Sequence, residues 1–173
     1  MTEKKPILQT EDLEKHFQTN AGILQRLLNR KVDNIHAVDG VDLSLNRQEI
    51  HGVIGESGCG KTTLLMTLMG LHDPTDGDIY YQGTPVSEFS RKDWKEYRRN
   101  VQIIFQDPFN SLDPKLTVRE SIREPLDVHN FDDKEQRVRD AMENVELRPV
   151  DRYIDRYPEQ LSGGEKQRVS IAR

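Results

Sequence analysis

The stretch "GVIGESGCGKTTLL", residues 52–65, sets four glycines and a lysine between an apolar run and a leucine-rich one. Glycine weakens helices and strands alike, so local stability does not explain it. A backbone that curls closely around a ligand does. From Gly55 to Thr62 the spacing is G-x-x-x-x-G-K-T, the phosphate-binding P-loop pattern. The preceding "EIHGVI", residues 49–54, is a β-branched run that suits a buried strand, and "KTTLLMTLMG" suits a helix ending at Gly70. Strand, glycine loop and helix together aim backbone N–H groups and a helix N-terminus at an anion. Gly55, Gly58 and Gly60 would let the loop take unusual dihedrals and let phosphate approach. Lys61 would reach the terminal phosphates, the Thr62 hydroxyl would bind Mg²⁺, and Thr63 would add a contact to the α-phosphate. The bland alternative is a glycine-rich turn that shares the spacing. The flanking pattern favours a nucleoside triphosphate site.

Bulk properties narrow the partners. A chain of 173 residues suffices for one domain with a sizeable core. A net charge of −5 is not that of a general nucleic-acid binder, which needs a basic surface. Arg98, Arg99 and Asn100 read as a solvated helix face instead. Mean hydropathy of −0.78, with no long apolar run, excludes a membrane-spanning helix. The opening "MTEKKPILQTED" lacks the apolar centre of a signal peptide. Cys59 is the one cysteine and lies within the loop, so no internal disulfide can form; this fits a reducing compartment. It either fills a small-residue slot or acts as a redox switch.

The far end of the chain discriminates among P-loop proteins. No N-K-x-D tetrapeptide is present to read guanine. Residues 157–173 are "YPEQLSGGEKQRVSIAR", in which "LSGGE" precedes a helical pattern of Gln167, Arg168, Val169, Ile171 and Ala172. Ser162 is a good N-cap, and the neighbouring N–H groups would again face an anion. An ordinary capped helix would look similar, but two such helix starts in one chain need a common reason.

These residues resemble the ATP-binding subunit of an ABC transporter along nearly the whole chain. "GESGCGKTT" resembles the family's Walker A motif and "LSGGEKQR" its signature, in the family's order. "VQIIFQDP", residues 101–108, resembles the strand leading into the Q-loop, with Gln106 as its glutamine. "LEKHF", residues 13–17, resembles the first strand, whose last aromatic stacks on adenine; Phe17 is then either that platform or a core residue. "AVDGVDLSL", "FQDPFNSLDPKLTV" and the insert from Gln18 to Ile35 look like the oligopeptide and dipeptide import branch. The insert has Ile23, Leu24, Leu27 and Leu28 at helical spacing and could pack on its own domain or on a partner. Glu165 stands where the family often has glutamine, and Gln160 where this branch often has an acid.

The resemblance implies ATP and Mg²⁺ as cofactors. It implies that Phe17, Gly55, Ser57, Gly58, Cys59, Gly60, Lys61, Thr62 and Thr63 hold the nucleotide. Ser162, Gly163, Gly164 and Glu165 would close over a nucleotide held by a second ATPase subunit. Lys61, Gln106 and Ser162 would act in catalysis, with Thr62 and Gln106 at the metal. Permease subunits in the membrane and, indirectly, a solute-binding protein would be partners, with no nucleic acid, at the cytoplasmic face of the membrane. The family's Walker B strand, D-loop and switch histidine come after the signature helix, so the sequence reads as an N-terminal portion of a longer ATPase, with little hydrolysis of its own. Asp107 ends an apolar run as a Walker B acid would, but Gln106 interrupts it and it precedes the signature. The rival readings are an ABC-type ATPase of DNA repair or translation and a nucleotide-binding module without hydrolysis. The first would normally bring coiled coils, zinc cysteines or a second P-loop, and none is present.

The expected fold is α/β: a P-loop core with an N-terminal antiparallel β part over residues 1–106, a helical subdomain over 107–161, and a signature helix over 162–173. Within it, "DPTDGDIYYQGTPV" (73–86) reads as turn, strand, turn. "SRKDWKEYRRN" begins with a capping box of Ser90 and Asp93, and its Trp94 and Tyr97 share a face better suited to packing than to binding. "FDDKEQRVRDAMENVEL" (131–147) has Asp132 and Glu135 at capping-box spacing and an apolar stripe of Val138, Ala141, Met142 and Val145.

Overall fold

A computed structural model describes residues 5–18, 34–105 and 112–173. The chain divides into two compact units, Met1–Gln102 and Ile103–Arg173, each with its own apolar cluster.

In the first unit, β1 (Leu8–Gln18) lies between β2 (Asn34–Leu45) and β3 (Asp76–Tyr81), and β4 (Thr84–Pro85) closes the order β2-β1-β3-β4. Every pairing is antiparallel. This is the expected β part, and the turn-strand-turn reading of 73–86 is β3 and β4. Three irregularities shape it. Opposite both neighbours β1 gains a residue between Thr10 and Glu14, where Asp12 takes a left-handed φ of 47°. The extra residue puts Thr10 and Leu13, three apart, both in the interior. The Thr10 hydroxyl donates to the Val41 carbonyl at 2.8 Å, which satisfies it there. Gly77 packs so closely on this bulge that a Cβ would lie 2.1 Å from the Asp12 carbonyl oxygen. The other two are in β2. Leu13 opposes Val41 and Lys15 opposes Val38, which leaves an extra residue between Val38 and Val41, and His16 opposes His36, which leaves Ala37 as another.

Helix α1 (Lys61–Leu68) lays Leu64 and Leu68 against Leu13, Val38 and Ile79 of the sheet. It ends as expected near Gly70, whose φ is 67°. Helix α2 (Arg91–Asn100) starts with the expected capping box: the Asp93 N–H donates to the Ser90 hydroxyl, and Asp93 accepts from the Ser90 N–H at 2.9 Å. Trp94 and Tyr97 do pack. Tyr97 is buried, stands edge-on to Tyr81, Phe89 and Trp94, and donates its hydroxyl to the Leu68 carbonyl at the end of α1. Burial pushes its phenol up to about 12.

Two expected strands are not formed. Residues 49–54 have no strand structure, and Ile50 and Ile54 are 98% and 95% exposed. Residues 101–105 are likewise irregular, with Ile104 and Phe105 exposed. A strand is made by its ladder, and no described residue pairs with either segment. The helical stretch within the insert, Gln106 and Asp107 lie outside the described residues.

The second unit is helical: α3 (Val118–Val128), α4 (Lys134–Asn144), a short α5 (Val150–Tyr153) and α6 (Gly163–Ala172). Val118, Ile122, Val138, Met142, Leu147, Ile154 and Val169 form its core. The stripe read from sequence is there, with Ala141 and Val145 packed at its edge. Full burial of a side chain such as Met142 stabilises by about 1.5–3 kcal/mol. The expected Asp132–Glu135 box is absent. Asp133 takes the N-cap position in a left-handed conformation without a side-chain cap, and Glu135 instead pairs with Arg119 of α3. A capping box does form at α3, from Thr117 and Glu120.

Candidate phosphate-binding site

The loop from Gly55 to Gly60 carries no regular structure and leads directly into α1. Gly60 is the N-cap, with φ 94° and ψ 0° and no side chain to cap the helix. Leu64 N–H bonds back to the Gly60 carbonyl at 2.8 Å, so the N–H groups before it are first-turn donors without an intrahelical acceptor. Glycine at 60 is dictated twice. Its φ is left-handed, and a Cβ would lie 1.9 Å from the carbonyl oxygen of Ala37, an extra residue of β2. Gly58, with φ 85°, needs glycine for its dihedral alone.

Lys61 folds over the loop. Its Nζ donates to the Gly55 carbonyl at 2.7 Å and the Glu56 carbonyl at 2.6 Å, and lies 3.4 Å from the Cys59 sulfur. The ammonium therefore stands at the centre of the glycine turn, beside a bare helix N-terminus. Ser57, Cys59 and Thr62 are exposed, and Thr63 is half-buried with its carbonyl accepting from the Thr67 hydroxyl. A cation and uncapped N–H groups form a donor set suited to phosphate, with the accessible Thr62 hydroxyl beside them.

Phe17 sits near the end of β1 opposite Ile35. It is half-buried and lies outside the apolar cluster of its unit. His72 meets its ring edge-on at 5.4 Å, and the Lys15 ammonium lies 5.3 Å from its centroid.

In the second unit, Ser162 caps α6 and forms a reciprocal box with Glu165. The Glu165 carboxylate accepts from the Ser162 N–H and from its hydroxyl, each at 2.7 Å. Those bonds hold the carboxyl below its ordinary range. The negative charge that replaces the usual glutamine is thus turned onto its own helix start. Gly163 and Gly164 remain exposed in the first turn. A Cβ on Gly164 would meet nothing within 4 Å, and its φ is not left-handed. Gln160 caps the preceding turn by accepting from the Tyr157 N–H at 2.9 Å. Of the helical pattern read from sequence, Val169 is buried while Ile171 is exposed.

Arg168 is a residue that the sequence did not single out for a task. Its guanidinium donates to the carbonyls of Val145 and Glu146 at 2.8 and 3.3 Å and to the Glu146 carboxylate at 3.1 Å. It thereby ties α6 to the C-terminal end of α4. An arginine five residues into a glycine-led helix was the only available signal. The P-loop members come together in the first unit and the signature members in the second, while Gln106 lies outside the described residues.

Comparison with known proteins identifies the family. The profile of the family described as ABC transporter matches residues 38–173. The oligopeptide transport ATP-binding protein AppF of Bacillus subtilis (strain 168) is 40% identical over 174 residues, covering 98% of this chain and 51% of that protein. The corresponding OppF of Salmonella typhimurium is 38% identical over 173 residues, covering 99% and 51%. The chain therefore spans about half the length of these curated relatives. Among solved structures, the dimeric ATP-binding cassette MJ0796 bound to ADP and Pi superposes with a TM-score of 0.75 at 28% identity, over 95% of this chain and 67% of that one. CbiO1 of Clostridium perfringens, part of the cbiONQ ABC transporter complex, gives 0.70 at 27% identity, over 97% and 60%.

Proposed function

The chain belongs to the ABC transporter family, and from that premise we propose that it is the ATP-binding and ATP-hydrolysing part of an importer for oligopeptides or dipeptides. The observation that carries the reading is the pair of glycine-led helix starts. One is bare and holds a lysine at its mouth; the other is capped and has an exposed glycine that its own chain does not require.

In the proposed cycle the first-turn N–H groups of α1 and the Lys61 ammonium bind the phosphates of ATP, exchanging the Gly55 and Glu56 carbonyls for phosphate oxygens. The Thr62 hydroxyl would hold Mg²⁺, with Gln106 as a further ligand and reporter, and the ion would supply neutralisation of charge on the phosphate oxygens. Phe17 offers a ring face to adenine. Ser162 and the N–H groups of Gly163 and Gly164 face the nucleotide held by a second ATPase subunit, so closure of the pair assembles each site from two chains. Positioning and charge stabilisation do most of the chemistry, with little covalent work for the protein. Hydrolysis belongs to the subunit at the full length of its relatives. Residues 1–106 form its nucleotide-binding core, 107–161 its helical subdomain and 162–173 its signature helix.

Among the described residues no helix is long and apolar enough to cross a membrane. By its likeness to transport ATP-binding proteins, the reading places the chain peripherally at the cytoplasmic face, on permease subunits supplied by a solute-binding protein. The oligopeptide assignment rests on relatives such as AppF and OppF.

The test mixes full-length subunits carrying Lys61→Ala with subunits carrying Ser162→Arg. Each homodimer has two defective sites. The mixed dimer has one site with both defects and one with neither, so single-turnover hydrolysis should reappear. No single turnover from mixed dimers shown to form would contradict assembly of the site from two chains.

A further inference from the structure

From the bulge in β2 we propose a zinc site at which His16, His36 and Asp39 clasp one Zn²⁺ ion and cross-link β1 to β2. His16 and His36 are register partners on the two strands, with ring centroids 3.8 Å apart and planes tilted by 36°. Asp39 follows His36 by three residues, which in a regular strand would put it on the opposite face. Ala37, an extra residue, shifts the phase and brings the carboxylate round to the histidines, next to the second register shift of β2 between Val38 and Val41.

The spacing suits a small cation. Asp39 Oδ1 lies 3.3 Å from His36 Nδ1 and 3.7 Å from His16 Nε2. The ligand atoms of all three residues fall within 4.8 Å of one another. Tetrahedral zinc with bonds of ~2.0–2.1 Å places neighbouring ligand atoms about 3.3–3.4 Å apart. Glu14 Oε2, 3.3 Å from His16 Nε2, can orient that ring or approach the fourth position, which water otherwise takes.

A second observation concerns the same nitrogen. His16 Nε2 is buried and has no hydrogen-bond partner, although it faces the carboxylates of Glu14 and Asp39. Buried nitrogen atoms are normally paired. A proton on this one would meet Glu14 and Asp39 at 3.3 and 3.7 Å without a well-aligned hydrogen bond, and a metal ion in its place would join the nitrogen to the Asp39 carboxylate. Imidazole and carboxylate together favour zinc over the hard cations Mg²⁺ and Ca²⁺. The Ala37 carbonyl of this bulge is the atom that packs against Gly60, so the ion would fix the strand segment on which the phosphate loop rests. The proposal does not depend on what that loop binds.

The test is titration of the metal-free chain with Zn²⁺ against a chromophoric chelator, with thermal unfolding as a second readout. The expected result is one tight equivalent and a melting temperature that rises with free Zn²⁺, since an ion bound only to the folded state stabilises it. His36→Ala and Asp39→Asn should each weaken binding by at least about tenfold while the metal-free melting temperature stays close to that of the parent. His51→Ala, which alters a histidine paired with Glu49, should leave the affinity unchanged. The absence of a saturable equivalent, or full affinity in both His36→Ala and Asp39→Asn, would overturn the site. Loss of the equivalent in His51→Ala would do the same.

Discussion

The two glycine-rich helix starts look alike in sequence and are built on opposite principles. At the start of α1 the glycine is required by the protein itself: Gly60 is left-handed, and the Ala37 carbonyl occupies the space that a side chain would need. The helix has no side-chain cap, and its lysine bends back across the loop. At the start of α6 the cap is complete within the chain, from Ser162 and Glu165, and Gly164 has open space around it and an ordinary backbone. One glycine is explained by the fold. The other is not required by it, and the proposed approach of another subunit's nucleotide would account for it.

That contrast can be broken most severely by exchanging glycine for alanine at each position. Gly60→Ala combines a left-handed dihedral with a backbone overlap, and should cost on the order of 2–4 kcal/mol or prevent folding, as read by urea unfolding. Gly164→Ala should leave unfolding unchanged or gain up to about 1 kcal/mol from helix propensity, while lowering hydrolysis by the assembled full-length dimer. A destabilised Gly164→Ala chain would show that the second glycine, too, is structural.

A smaller effect is expected at the adenine end. Phe17→Ala should weaken ATP binding by about 1–2 kcal/mol, and Tyr or Trp should restore it, because only the aromatic face is used. Unchanged affinity with lowered stability in calorimetry would move Phe17 from the site to the packing around His72.

The smallest effect belongs to the charge on Glu165. Its folded carboxyl is lowered by the hydrogen bonds from Ser162, so its contribution to stability is present above the ordinary value of 4.5 and is lost as pH falls through the folded value. Glu165→Gln keeps the hydrogen-bond reach but removes the interaction of the charge with the helix N-terminus, typically 0.3–1 kcal/mol. Denaturant curves should show wild type ahead of the variant at neutral pH and the gap closing in acid. A gap that stays constant with pH would mean that the carboxylate does not serve as the cap.

How much of this was legible in the sequence follows the range of the interactions involved. The P-loop, the α1 boundary, the Ser90–Asp93 box and the stripe from Val138 to Val145 are set by residues a few positions apart, and all can be read directly. The segments 49–54 and 101–105 have the composition of strands, but composition does not supply the neighbour that a ladder needs, and no described residue does either. The bulges at Asp12 and Ala37 depend on register across strands, so neither Gly77 nor Gly60 reveals its close contact beforehand. Asp132 and Glu135 have the right spacing for a cap, yet Arg119, sixteen residues before Glu135, draws that acid away. The Ser162–Glu165 box has the same local spacing as the Ser90–Asp93 box and is equally legible, but from sequence the Glu165 charge is assigned to a nucleotide instead of to its own helix start.

The central claim is that the two helix starts divide their labour: α1 binds the nucleotide of its own chain, and α6 serves another's. Calorimetric titration of this chain with MgATP tests it most directly, using Lys61→Ala and Ser162→Ala with circular dichroism to confirm that both are folded. The account predicts that Lys61→Ala loses most of the affinity for ATP while retaining that for adenosine, and that Ser162→Ala binds ATP as the parent does. A comparable loss of ATP affinity in both variants would place the two helix starts on one nucleotide within a single chain and contradict the account.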